Sequence, residues 1–157
     1  MIGRFAGLAL GLAFLGSVAT VASLASPAFA DNPVAETVRK WGLLGAWSQD
    51  CALPPDHARG TVLAYQIGPE GGVVYRRDFG DVADEGQVLA AEVSADGVLN
   101  LVVTFAAIKQ KREYGLMMLA DGGLRAVYNR SETGEYTIKD GKFVATKKPT
   151  PVQHRCE

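Results

Sequence analysis

From Thr61 onward, apolar and polar residues alternate with a period of two, broken at short intervals by glycine-containing turns. That period suits extended strands burying one face, not a helix packing on a core. The clearest case is Leu99, Leu101, Val103 and Phe105, with Val98, Asn100, Val102 and Thr104 on the opposite side. Residues 61–67 put Leu63, Tyr65 and Ile67 on one face. Residues 73–79 put Val73, Tyr75, Arg77 and Phe79 together, opposite Val74, Arg76 and Asp78. Residues 88–94 and 109–120 read as further strands, and Leu124, Ala126 and Tyr128 alternate with Arg125, Val127 and Asn129. Tyr136 and Ile138 lead into Asp140-Gly141, a strong hairpin turn between extended residues, and Phe143 and Ala145 return. Residues 80–86 read as an acidic loop, and Pro149 and Pro151 are expected to end regular structure before the tail. Adding residues 44–50 gives eight or nine short strands. Sequential hairpins with tight turns predict an all-β fold, an antiparallel up-and-down barrel of about eight strands. Closure would also remove exposed sheet edges.

A short helix precedes the strands. Asn32 can cap it, Pro33 suits its first position, and Val34, Val38 and Trp41 recur at helical spacing. Arg39 and Lys40 fall in its last turn and Gly42 can end it. Before this helix, Arg4 is the only charge ahead of Asp31. An apolar run follows it, then Pro27 and Ala28-Phe29-Ala30. A positive end, an apolar middle and a small-residue exit predict a cleaved signal peptide at residues 1–30 and a single domain over residues 31–157. The expected location is periplasmic or secreted, with no membrane attachment after cleavage.

Export bears on the two cysteines, Cys51 and Cys156. An oxidising compartment and an even count predict a disulfide that closes nearly the whole domain. One of the 16 basic residues and none of the 17 acidic ones precede Asp31, leaving a net charge of −2. That balance argues against a nucleic-acid partner or a polybasic membrane binder.

Gly45-Ala46-Trp47, directly after the helix, resembles the opening of lipocalins and their calycin relatives. In that family a Gly-x-Trp on the first strand closes one end of an eight-stranded barrel. The resemblance implies that Gly45 and Trp47 form a barrel plug, and that a late basic residue, Arg130 or Arg155, stacks on the indole. The family's Thr-Asp-Tyr turn has no counterpart at Met118-Leu119-Ala120-Asp121-Gly122 beyond Asp121 itself. The chain also looks like a group of small exported bacterial proteins, through Arg77-Asp78-Phe79-Gly80-Asp81 and the late Cys156.

Few residues invite chemistry. Asp56, His57 and His154 are of metal-ligand type, and a Cys51–Cys156 bridge would draw the two histidines towards each other. Exposed, solvated loop residues explain them better, and no metal or cofactor is expected. Ser48, Ser94 and Ser131 have no evident histidine partner and no Gly-x-Ser-x-Gly elbow, so no enzyme motif is recognised. Asp78, Asp81, Asp84 and Glu85 read as a solvated acidic turn. Lys109, Lys111 and Arg112 would form an anion patch with Arg76 and Arg77 only if their strands were neighbours.

Two functions fit this reading. The first is a barrel holding a small apolar molecule, with Leu63, Tyr65, Tyr75, Leu101, Val103, Phe105, Tyr114 and Leu116 facing inward. The second is a filled barrel that meets an envelope protein through its surface, as an interaction or inhibitor module.

Overall fold

The computed structural model describes residues 32–57 and 60–156. The expected signal segment, residues 1–30, and the expected first mature residue, Asp31, lie outside the described residues. Helix α1 (Pro33–Trp41) is built as its sequence requires. The Asn32 side chain accepts from the N–H groups of Val34 and Ala35 at 3.0 and 3.2 Å, and Pro33 takes the first position. Gly42, at φ +88°, terminates the helix in the left-handed region, where a side chain would be strained. Ala35 and Val38 are buried, and Val34 and Trp41 pack beside them.

Ten strands follow: β1 (Gly45–Ser48), β2 (Val62–Ile67), β3 (Val73–Asp78), β4 (Ala83–Val93), β5 (Leu99–Phe105), β6 (Gln110–Met118), β7 (Leu124–Ser131), β8 (Tyr136–Lys139), β9 (Lys142–Phe143) and β10 (Val152–Cys156). Strands β1 to β7 pair with their chain neighbours, all antiparallel. Strand β10 then pairs with β7 on one side and β1 on the other, closing an eight-stranded antiparallel barrel. The β8–β9 hairpin continues from β7 outside the closed ring.

Three expectations are corrected here. The tail after Pro151 is no coil: Val152–Cys156 is the closing strand. Residues 83–86 are not part of a loop but the start of β4, so the turn from β3 is confined to residues 79–82. A single 3₁₀ turn (Ala106–Ile108) with Lys109 at φ 51° carries the chain from β5 to β6, which begins at Gln110 rather than Lys109.

The inward face runs through paired positions: Leu63 beside Trp47 and Arg77, Tyr65 beside Tyr75, Leu101 beside Tyr114, and Leu99 beside Leu116. All eight residues expected to point inward do so; seven are buried and Leu63 is partly buried. Two β-bulges, between Val88 and Ala90 and beside Gly115–Leu116, change the phase of the alternation. The second turns Tyr128 outward over Gly115 and brings Asn129 inward opposite Tyr114. Tyr128 donates to Asn100 Oδ1 at 2.7 Å on that outer face.

Helix α1 packs on β4 and β3. Trp41 Nε1 donates to Gly97 O, in the β4–β5 turn, at 3.1 Å. The helix therefore sits at the barrel end that carries the β2–β3 and β4–β5 turns. Cys51 and Cys156 form a disulfide with Cα atoms 5.4 Å apart, tying the chain after β1 to β10. Replacing both cysteines by serine is expected to lower the unfolding free energy by about 2–5 kcal/mol. Urea titration of the oxidised protein and the double variant checks this.

Candidate ligand-binding cavity

The two ends of the barrel differ. At the helix end the interior is filled. Trp47 is fully buried and its indole N–H donates to Leu43 O at 2.8 Å. Arg155, directly across the β1–β10 pair, lays its guanidinium over the indole at 4.7 Å. The same guanidinium donates to Leu44 O at 2.7 Å and to Gly42 O. Of the two basic residues considered for this contact, Arg155 makes it; Arg130 instead pairs with Glu113. Gly45 has φ +130°, and a Cβ there would lie 3.3 Å from Arg155 Nη1. Gly45, Trp47 and Arg155 are thus one unit: the glycine leaves the space in which the guanidinium reaches the chain leaving the helix.

At the opposite end the barrel is hollow. A cavity of about 1100 Å³ opens there, at or just above the ~300–1,000 Å³ common for small-molecule sites. Leu63, Leu116, Leu124 and Ala126 form apolar wall, with Tyr65, Tyr75 and Tyr114 among them. Its mouth lies between Gln49, His57 and Thr61 on one side and residues from the β8–β9 hairpin to Pro151 on the other. Thr150 fastens that second side. It is buried, its hydroxyl donates to Ala126 O at 2.7 Å, and its carbonyl accepts from Arg125 Nε at 3.2 Å.

The tyrosines are arranged as an aromatic cluster. Tyr65 and Tyr75 stack at 4.5 Å with rings parallel to 1°, and Tyr114 meets Tyr75 edge-on at 5.6 Å. Burial raises the pKa of all three hydroxyls, well above the ordinary value for Tyr65 and Tyr75. Two residues past Tyr75 on β3, towards the open end, lies a charge pair. Arg77 Nε donates to Asp84 Oδ1 at 2.7 Å and an Nη donates to Oδ2, while the guanidinium lies 4.2 Å from the Phe105 ring centre. Gly86, inward on the same strand as Asp84, is needed there: a Cβ would stand 2.7 Å from Val103 and 2.9 Å from Phe105.

The other sequence candidates are dispersed. His57 contacts Asp81 at 3.1 Å and stacks on Phe79 at 5.0 Å, whereas His154 lies on β10 opposite Ser48. Asp56 bridges Gly60 through the backbone. Among the described residues no three His, Cys, Asp or Glu side chains are placed to share a metal ion. The acidic turn is also divided: Asp84 points inward to Arg77, while Asp78 accepts from the Gly80 N–H at 2.9 Å. Strands β4 and β5 separate β3 from β6, so Arg76 and Arg77 do not join Lys109, Lys111 and Arg112 in a patch. Arg112 is instead occupied by Asn129 Oδ1 at 2.7 Å and the Thr137 hydroxyl at 3.1 Å.

No family model, curated protein or solved structure matches the chain. The eight-stranded closed barrel agrees with a lipocalin-like architecture, and the geometry alone carries that likeness.

Two outcomes follow from the cavity wall. Asp84→Asn leaves the inward Arg77 charge without its partner and is expected to cost about 2 kcal/mol, less than a fully buried pair because the two side chains keep 19% and 23% exposure. The double variant Arg77→Met/Asp84→Leu is expected to recover most of that loss in the same urea titration. The tyrosines set an alkaline limit. Their pKa values are raised in the fold, so above about pH 10 the unfolded chain releases protons that the folded one keeps, and stability falls as pH rises. Ultraviolet titration is expected to show Tyr65 and Tyr75 ionising only together with unfolding.

Proposed function

We propose that this is an exported carrier or scavenger of a small, largely apolar molecule, held in the open half of the barrel. The observation that carries this reading is the cavity itself: one end of the barrel is filled around Trp47 and Leu43, and the other encloses about 1100 Å³ among apolar and aromatic side chains. Gly45, Trp47 and Arg155 act as the plug of the closed end. That division fits a binding barrel better than a filled barrel acting only through its surface. Export is supported by the signal-like pattern of residues 1–30 and by the Cys51–Cys156 bridge, which suits an oxidising compartment. No helix among the described residues is long and apolar enough to cross a membrane.

The reading predicts saturable binding of an uncharged apolar fluorophore such as N-phenyl-1-naphthylamine to the folded protein, at one site per chain. Ala126→Phe, on the wall, and Ala145→Trp, at the exposed mouth, are expected to weaken it at least fivefold. Both variants should retain the parent circular-dichroism spectrum. Absence of binding by the parent, or unaltered binding by both folded variants, would refute the proposal.

A further inference from the structure

One side of the cavity mouth combines exposed apolar residues with positive charge. Tyr136, Phe143 and Val144, on the β8–β9 hairpin and the segment that follows it, line the cavity and are nevertheless 36%, 37% and 37% exposed. The apolar interior therefore continues onto the outer surface here. Beside these residues stand Lys139, Lys142, Lys147 and Lys148, all exposed. Among the described residues none of the four is in an ion pair. Asp140 is the one acidic residue between Tyr136 and Thr150. The carboxylates of the preceding turn are Glu135 and Glu132, and Lys111 holds the latter at 3.0 Å. The net charge of −2 conceals this segregation: four lysines and one aspartate give residues 136–150 a charge of +3, so the rest of residues 31–157 carries −5.

Two features of this segment cost stability. Lys139 and Lys142 are register partners, like charges directly opposite each other on paired strands. Lys147 stands at φ +60°, in the left-handed region that residues with a Cβ rarely adopt. Both features, and the exposed apolar residues, are accounted for by a partner that is negative at its face and apolar beneath. An anionic phospholipid bilayer has that layering. Lysine stems lie along apolar surface while their ammonium groups stay level with the head groups, and Lys139 already places its ammonium 5.5 Å from the Tyr136 ring centre. An acidic protein would answer the lysines without offering the apolar layer. The cavity points the same way, because a largely apolar molecule concentrates in bilayers and leaves water readily.

Resting on the ligand-binding reading above, we propose that residues 136–149 dock the open end of the barrel onto an anionic phospholipid bilayer, so that an apolar cargo passes between membrane and cavity. The four lysines supply the attraction to the head groups, and Phe143 and Val144 enter the interface. The contact is peripheral and reversible, since so few apolar side chains fall far short of the roughly 20 residues of a spanning helix. The closed end offers no such surface: Lys40 of α1 is paired with Glu36 at 2.6 Å.

Co-sedimentation of the disulfide-bonded protein with sucrose-loaded vesicles tests this, using phosphatidylcholine alone and an equimolar mixture with phosphatidylglycerol. The parent is expected to bind the mixed vesicles about tenfold more strongly than the neutral ones, and to lose most of that advantage between about 0.1 M and about 0.5 M salt. Lys142→Gln/Lys147→Gln is expected to weaken binding to the mixed vesicles about tenfold, and Phe143→Ser/Val144→Ser about fivefold. Arg39→Gln/Lys40→Gln removes the same charge from the helix at the closed end and is expected to stay within about twofold of the parent. Equal binding of the parent to both kinds of vesicle would overturn the docking surface, as would an equal loss in the helix variant. So would a dimer of the parent in sedimentation velocity that Phe143→Ser/Val144→Ser disperses, because a second copy would then cover the rim. Binding of N-phenyl-1-naphthylamine is measured on the same samples. It is expected to be unchanged in Lys142→Gln/Lys147→Gln, whose two positions do not line the cavity. Its absence in the parent would refute the ligand-binding reading, so the two failures are distinguishable.

Discussion

The fold depends on one closure: five residues at the end of the chain must join the first strand to the seventh. Without β10, β1 and the first residues of β7 would be exposed edges with unpaired N–H and C=O groups. The pairing itself is brief, three residue pairs with β1 and two with β7. It is reinforced from both faces. Outside, the Cys51–Cys156 bridge ties β10 to the chain that leaves β1. Inside, Arg155 crosses to the Trp47 indole and to the carbonyls of Gly42 and Leu44. The helix, the first strand and the last strand thereby meet in one knot of contacts at the closed end.

That arrangement lets the other end stay open. Packing around Trp47, Leu43 and Val38 supplies a dense base, and the upper barrel can then carry polar groups and empty space. The Arg77–Asp84 pair and the tyrosine cluster lie where a fully apolar filling would add more stability. Their retention is intelligible if the space has an occupant whose position they help define. The strap leading to Pro151 borders the mouth without sealing it, fastened at Thr150 through Ala126 and Gly141.

Most of the wall was legible in the alternation, because inward positions on β2, β3, β5 and β6 are large and apolar or aromatic. The two strands read wrongly share a physical cause. The inward residues of β10 are Gln153 and Arg155, and those at the start of β4 are Asp84 and Gly86, so neither stretch shows a hydrophobic period. The bulge at Gly115–Leu116 hid Asn129, since a two-residue period counts Tyr128 as inward. The charge pair was half visible: Arg77 shares a face with Val73 and Tyr75, and a charge on a buried face calls for a partner. Asp84 was concealed within a run that reads as an acidic loop. Gly45 and Trp47 stood out in the sequence, but the choice between Arg130 and Arg155 needed the register of a strand with no apolar signal.

The central claim is that the open half of this barrel exists to hold a small molecule. Native and denaturing mass spectrometry on one sample, purified from the cells that make it, tests it most directly. The account predicts a denatured mass for residues 31–157 lacking two hydrogens, and a native excess mass that disappears on unfolding. A native mass equal to that of the bare chain, unchanged after incubation with small apolar compounds, would contradict it.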